Sequence, residues 1–272
     1  MIPIEDNFSD IISKAQRGLR LSDSELAEKA RVSSQKVREL CEGTFDELAL
    51  LRVAGALGLS GRALADLATD AWRPPVIGEI EGLAQFSTQY HGMAVNAYLV
   101  WDAESRVAAV FDTGADSREM LGFAGKKKLT IKMILLTHTH PDHIDDLPRL
   151  REETGAAVYV SKHESFSGAE SIDEGKSFTL GKLKIEVRLT WGHSRGGLTY
   201  VVTGLMRPVA VVGDSLFAGS MGGGNVSYED AVRNNIEKIL TLPDDAIICP
   251  GHGPMTTVAE EKAHNPFFAE RL

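Results

Sequence analysis

The sequence predicts an α/β protein, two β-sheets packed together with helices outside, preceded by a small all-α segment. Three observations predict it. Short helical patterns without a strand pattern fill the chain up to Trp72-Arg73-Pro74-Pro75, where the texture changes. From Pro75 onward, short apolar runs alternate with helical stretches. Four of those runs stop at loops that carry histidine or aspartate. The expected division is a helical domain over residues 1–72 and a sheet-bearing domain over residues 73–272.

Composition bounds the reading. With 43% hydrophobic and 25% charged residues in 272, the chain has the make-up of a soluble globular protein with a sizeable core. A net charge of −9 disfavours nonspecific attraction of the whole molecule to nucleic acid or anionic membrane. No apolar run approaches the roughly 20 residues that span a bilayer. The start, Met1-Ile2-Pro3-Ile4-Glu5-Asp6, lacks a basic stretch and an apolar signal core. A cytoplasmic location without membrane association is the expectation. Cys41 and Cys249 are expected to be unpaired, apolar in character and not ligands.

Phe8 to Leu19 predicts the first helix. Ser22-Asp23-Ser24-Glu25 is a capping box opening a second, to about Ala30. Ser33 or Ser34 caps a third that Gly43 stops. Thr44-Phe45-Asp46-Glu47 is read as another capping box, for a helix ending at Leu57-Gly58, and Ser60 caps a last one to about Thr69. Leu26, Val32, Val37, Leu40, Leu48, Leu51, Val53, Ala54, Leu57, Leu64 and Leu67 are the expected core.

The run from Leu21 to Ala30, followed by Val32-Ser33 and Val37-Arg38, resembles the helix-turn-helix of Cro/C1-type (XRE-like) repressor domains. That resemblance implies a helix from Ser34 presenting Ser34, Gln35 and Lys36 to bases in a major groove. Charge points the other way. Residues 1–72 carry nine Lys and Arg against twelve Asp and Glu, a net of −3, and phosphate neutralisation dominates DNA affinity. A helical dimerisation or docking module, with the chain as a homodimer, is the competing expectation.

In the second part, Leu83–Ser87, Val95–Trp101, Val107–Phe111, Ile131–Leu136, Val158–Val160, Leu183–Thr190, Leu198–Val202, Val209–Val212 and Ala246–Cys249 are read as strands. Ser117–Phe123, Ile144–Glu153, Tyr228–Leu240 and Val258–His264 are read as helices. After Leu136 comes Thr137-His138-Thr139-His140-Pro141-Asp142-His143, with three of the eight histidines in six residues. Histidines two apart cannot share a helix face, so a loop at a strand end is their natural setting. Imidazole and carboxylate suit zinc, and also iron or manganese. His193, Asp214 and His252 likewise emerge where strands stop, beside glycines. Five histidines and two aspartates are an inventory for two divalent ions about 3.5–4 Å apart.

Together these residues strongly resemble the metallo-β-lactamase-fold hydrolases, over roughly residues 76 to 268. The resemblance implies a four-layered αββα sandwich. It assigns His138, His140 and His193 to a first metal, Asp142, His143 and His252 to a second, and Asp214 as the carboxylate between them. Gly213-Asp214-Ser215-Leu216-Phe217-Ala218-Gly219 and Pro250-Gly251-His252-Gly253-Pro254, with Glu261 and Asn265-Pro266-Phe267, look like the hydroxyacylglutathione hydrolase (glyoxalase II) branch. Arg195 stands where that branch usually has proline, Gly222-Gly223-Gly224 where it has an arginine, and its C-terminal glutathione-gripping extension is missing. The metal ligands carry over and a glutathione site does not.

The activity so implied is hydrolysis of a small thioester, ester or lactone by metal-activated water, zinc most naturally, with Asp142 as the catalytic residue that orients the water. Two other readings stand beside it: a mono-iron persulfide dioxygenase on the same scaffold, and a DNA-binding regulator whose metallo-β-lactamase-fold part senses a ligand. His91 and Arg195 are candidate substrate contacts. Asp112, ending a strand, is a candidate to orient a ligand histidine. Lys126-Lys127-Lys128 is read as a solvated turn, and Gly222-Gly223-Gly224 as a flexible loop beside the site.

Overall fold

A computed structural model describes residues 2–271. Five helices come first: α1 (Phe8–Gly18), α2 (Asp23–Ala30), α3 (Ser34–Cys41), α4 (Glu47–Leu57) and α5 (Gly61–Ala68). The capping box at Ser22–Glu25 forms, and Ser33 and Ser60 cap α3 and α5. Thr44 does not cap α4. Asp46 does, accepting from the Ala49 amide, because the backbone turns helical at Glu47 and so puts Asp46, not Thr44, at the position before the first helical residue. Most of the expected core is buried, but Leu48 and Leu51 are 61% and 42% exposed. They lie on the outer side of α4, whose buried face is Ala49, Leu50, Val53, Ala54 and Leu57.

The first sheet takes β1 (Leu83–Tyr90), β2 (Met93–Trp101) and β3 (Val107–Phe111) as an antiparallel meander. After α6 (Arg118–Lys127), β4 (Thr130–Leu135) lies parallel to β3. Two helices follow, α7 (Pro141–Ile144) and α8 (Leu147–Thr154), where one helix from Ile144 is expected. Proline at the start of each segment separates them, since it cannot continue the preceding turn's hydrogen bonds. Parallel strands β5 (Ala157–Ser161) and β6 (Glu170–Ile172) complete that sheet.

The second sheet contains β7 (Ser177–Leu180), β8 (Leu183–Leu189), β9 (Leu198–Thr203) and β10 (Val209–Gly213), all antiparallel neighbours. α9 (Tyr228–Asn234) passes into a π-helical turn at Asn235–Ile239. Then β11 (Ile247–Pro250) pairs parallel to β10, and β12 (Thr256–Thr257) leads into α10 (Val258–His264). β6, β7 and β12 are absent from the sequence reading; all three are short, and β6 and β7 are largely solvent-facing.

Alternation along each strand sorts side chains between two faces. Tyr98, Val100, Phe111, Tyr200, Val209 and Val211 fill the space between the sheets. On the far side of the first sheet, Leu99, Val110 and Ile134 meet Met120, Leu147 and Leu150 of α6 and α8. On the far side of the second, Ala210, Val212 and Ile248 meet α9, α10 and all five N-terminal helices in one continuous core closed by Phe267 and Phe268. Polar ties reinforce that contact. Trp72 Nε1 donates to Glu260, and Ser60 donates through its amide to the Pro266 carbonyl and through its hydroxyl to Glu270. The texture change near Trp72 is therefore a change of secondary structure and not of core. Among the described residues no helix is long and apolar enough to cross a membrane.

Candidate metal centre

Strand direction assembles the site. β3 and β4 are parallel in one sheet; β8, β10 and β11 run alike in the other, so the loops that follow each set share an end. Asp112, the segment Thr137–His143, His193, Asp214 and His252 all leave from those ends. Ligand-capable atoms of His138, His140, His193 and Asp214 lie within 4.8 Å of one another, and those of Asp142, His143 and His252 form a second such group. Asp214 stands between the groups. Its Oδ1 is 3.2 Å from His143 Nε2, and its Oδ2 lies 3.4 Å from His193 Nε2 and 3.5 Å from His252 Nε2. Asp142 Oδ2 is 3.2 Å from His252 Nε2.

The surrounding hydrogen bonds decide which ring nitrogen faces inward. Asp112 accepts from the Thr137 amide (2.7 Å), the Thr137 hydroxyl (2.7 Å) and His143 Nδ1 (2.8 Å). Because the Thr137 hydroxyl donates to Asp112, its oxygen is left to accept from His138 Nδ1 at 3.0 Å. His193 Nδ1 donates to the Gly223 carbonyl and His252 Nδ1 to the Ala94 carbonyl. With every Nδ1 proton used outward, the Nε2 lone pairs of His138, His143, His193 and His252 converge on the centre. His138 Nε2 and His193 Nε2 lie 2.9 and 3.0 Å from His140 Nδ1. Three such lone pairs repel unless a cation lies among them.

Two buried atoms at the centre, His143 Nε2 and Asp214 Oδ1, have no hydrogen-bond partner among the described residues. Buried polar atoms seldom stay unpaired without a function. The cluster is thus able to bind metal ions, and its chemistry fits them.

Electrostatics agree. Burial, with His143 beside it, holds His138 well below its ordinary pKa, in the neutral form a metal requires. Burial lowers His193 as well. Burial would raise Asp214, but His143 and His252 hold it well below the usual carboxylate range. Burial also opposes protonation of His143 and His252, yet Asp214 and Asp112 push the first up to about 10, and Asp142 and Asp214 push the second up to about 11. These imidazoles balance the carboxylates when protonated, and a bound cation does so in their place.

His91 sits on the left-handed two-residue turn between β1 and β2, at the tip of the hairpin whose Ala94 receives His252, and is not in the cluster. Arg195 is exposed two residues beyond His193. Ser34, Gln35 and Lys36 start α3; Lys36 pairs at the surface with Glu39 and Asp46, both at 3.0 Å, and Gln35 donates to Glu39. Both cysteines are unpaired. Lys126 and Lys127 end α6, and Lys127 lies over the Trp101 and Phe123 rings. Glu164 is a supporting residue that spacing does not reveal: it accepts from the Thr139 amide and hydroxyl and from the Gly196 amide, tying the two histidine loops together.

The glycine run proves to be a fitted piece. A Cβ on Gly222 would overlap the Asp214 carbonyl and come 2.9 Å from His193 Nδ1. Gly222→Ala is expected to destabilise by about 1–3 kcal/mol, as overpacking does, and to lower metal content, both readable from thermal melts and elemental analysis.

Glu261 holds the loop after Asp214 from below. Fully buried, it accepts from the Gly219 amide (3.0 Å), Asn265 Nδ2 (2.7 Å) and the Thr256 hydroxyl (2.8 Å). Burial raises its pKa from 4.5 to about 7. A folded pKa above the unfolded one stabilises at low pH, and that contribution is lost as pH rises from about 4.5 to about 7. An amide fits the same bonds, its oxygen toward Gly219 and Asn265 and its nitrogen toward the Thr256 oxygen. Glu261→Gln should therefore gain on the wild type by about 1–3 kcal/mol between pH 5 and 8. Denaturant melts at both pH values check it, and a constant difference would refute it.

The profile of the Metallo-beta-lactamase superfamily matches residues 92–252. The chain is 31% identical to the Probable metallo-hydrolase YqgX of Bacillus subtilis, over 72% of this chain and 96% of that one. It is 30% identical to the Hydroxyacylglutathione hydrolase GloC of Haemophilus influenzae, over 63% and 92%. The crystal structure of ETHE1 from Myxococcus xanthus superposes with a TM-score of 0.60 at 26% identity, over 67% of this chain and 83% of that one. More than a quarter of this chain has no counterpart in either curated relative. Fold, rim geometry and the converging imidazoles agree with the match: the chain belongs to the metallo-β-lactamase superfamily.

Proposed function

We propose that the chain hydrolyses a small acyl thioester, with two zinc ions held by His138, His140, His193, Asp142, His143, His252 and Asp214. The observation that carries this is the set of four Nε2 lone pairs aimed at one centre by outward Nδ1 bonds. Likeness to the hydrolase GloC supports the thioester. Zinc is favoured because nitrogen and oxygen donors bind it more tightly than iron(II) or manganese(II).

Divalent ions at such a site bring the pKa of water from about 15.7 to about 7 and polarise a carbonyl. The chain's own residues do the rest. Asp142 is ionised at neutral pH: burial opposes this, and the contact with His252 outweighs it. It is placed to orient a water by accepting one of its protons. Asp112, Thr137, Gly223 and Ala94 hold the imidazoles so that no ring turns during the reaction. The N-terminal helices serve this catalytic part, since their core is the outer face of its second sheet.

Purified protein should contain about two zinc ions per chain and hydrolyse a hydroxyacylglutathione faster than an ester or lactone. A chelator should abolish turnover and zinc restore it. Two bound ions with no turnover of any thioester would refute the reading. One iron per chain with no hydrolysis would select the dioxygenase reading instead.

A further inference from the structure

Helix α1 and the glycine loop line an open-mouthed cavity of about 270 Å³. Its walls include Lys14, Arg17 and Arg20 from the N-terminal segment, and Gly223, Gly224 and Asn225 from the loop. Three cations at one small cavity stand out on a molecule of net charge −9. Lys14 is occupied by Asp6 and by the Met221 carbonyl. Arg17 and Arg20 have no ion-pair partner among the described residues. The Gly223 and Gly224 amides donate to no acceptor among them either. Guanidinium forks and unpaired backbone amides are the two groups that recognise carboxylate and phosphate oxygens.

Position ties the cavity to the metal centre. Gly223 belongs to its wall, and the same residue's carbonyl receives His193 Nδ1 at 3.0 Å. The loop that walls the cavity is thus the loop that orients His193 toward the cluster. The volume is below the ~300–1,000 Å³ that whole ligands take, which suits one end of a molecule whose reacting end lies at the metals. The packing that creates the cavity is specific: at Gly18 a Cβ would overlap the Tyr228 ring, so glycine lets α1 lie against α9.

We propose that this cavity is an anion subsite for the thiol half of the substrate, with Arg17 and Arg20 pairing to its carboxylate or phosphate. It rests on the hydrolase reading only for the identity of the bound molecule. The N-terminal segment, which has no place in the superfamily match over residues 92–252, would then supply substrate selection to a site it does not otherwise enter.

The test is calorimetric titration of the full chain, which needs no turnover, with S-methylglutathione and with inorganic phosphate as probes. The comparison is Arg17→Ala/Arg20→Asn. Asparagine is chosen because Arg20 has φ 55, a left-handed conformation it tolerates. Both arginines are exposed, and an unchanged melting curve confirms folding. Wild type should bind one or both probes, and the double variant at least tenfold more weakly, with Arg17→Lys/Arg20→Lys in between. Tighter binding of S-methylglutathione identifies a carboxylate source, and tighter binding of phosphate a phosphate source. In turnover, KM for a glutathione thioester should rise tenfold with kcat little changed, while a neutral N-acetylcysteamine thioester is unaffected. No binding of either probe to wild type, or equal binding by the double variant, overturns the subsite. Binding without hydrolysis of any thioester counts against the proposed reaction alone.

Discussion

Replacing Asp214 with alanine is expected to lower bound metal from about two ions per chain to one or none, and the rate more than about 100-fold. The upper end of what a merely supporting residue costs is about 100-fold, and Asp214 is closer than that. Its two oxygens reach His143, His193 and His252, which belong to different ligand groups. It is the one carboxylate grouped with His138, His140 and His193. Two divalent ions about 3.5–4 Å apart repel each other strongly. Without an anion between them, the second ion has only Asp142 to offset its charge. Elemental analysis after desalting, with kcat beside it, reads both effects. Full metal loading of the alanine variant would show that Asp214 does not sit between two ions.

A second large effect is expected from Asp112→Asn. Asp112 has a left-handed backbone with φ 56, which asparagine accepts, so the variant changes hydrogen bonding and little else. The carboxylate takes three donors on two oxygens. An amide cannot. With its oxygen toward His143, its nitrogen faces the Thr137 amide, donor against donor. Turned the other way, its nitrogen faces His143 Nδ1, and the His143 proton must move to Nε2, where the metal lone pair belongs. Either arrangement leaves a buried donor without an acceptor, at about 1–3 kcal/mol. Metal affinity should fall about 10–100-fold. Competition with a zinc indicator measures the affinity, and nitrogen-15 NMR of the ring reports the tautomer. An unchanged affinity would mean that Asp112 does not orient His143.

The clustered histidines and aspartates were legible because metal sites need particular residue types, and those types sit where strands end. A short continuous apolar run marks its own end, so His138, Asp214 and His252 announce themselves. Asp112 was legible for the same reason. Glu164 was not: it reaches Thr139 and Gly196 from a loop more than twenty residues away from each, and no local pattern records such a contact. Leu48 and Leu51 were misplaced because α4 is apolar nearly all round, which leaves its buried face unmarked. The capping residue of α4 was misread because Thr44 and Asp46 both have side chains able to cap, and only the backbone path distinguishes them. Docking of the helices onto the second sheet was equally invisible. Ser60 meets Pro266, and Trp72 meets Glu260, pairings that depend on the completed fold.

That docking has a consequence for biosynthesis. Helices α1–α5 are made well before Phe267 and Phe268, yet the interior they share includes both. A ribosome adding about 5–20 residues per second would leave them without those partners for roughly ten seconds or more. Their greasy faces must be shielded meanwhile by each other or by a chaperone, and that interior closes only once Phe267 and Phe268 have been added.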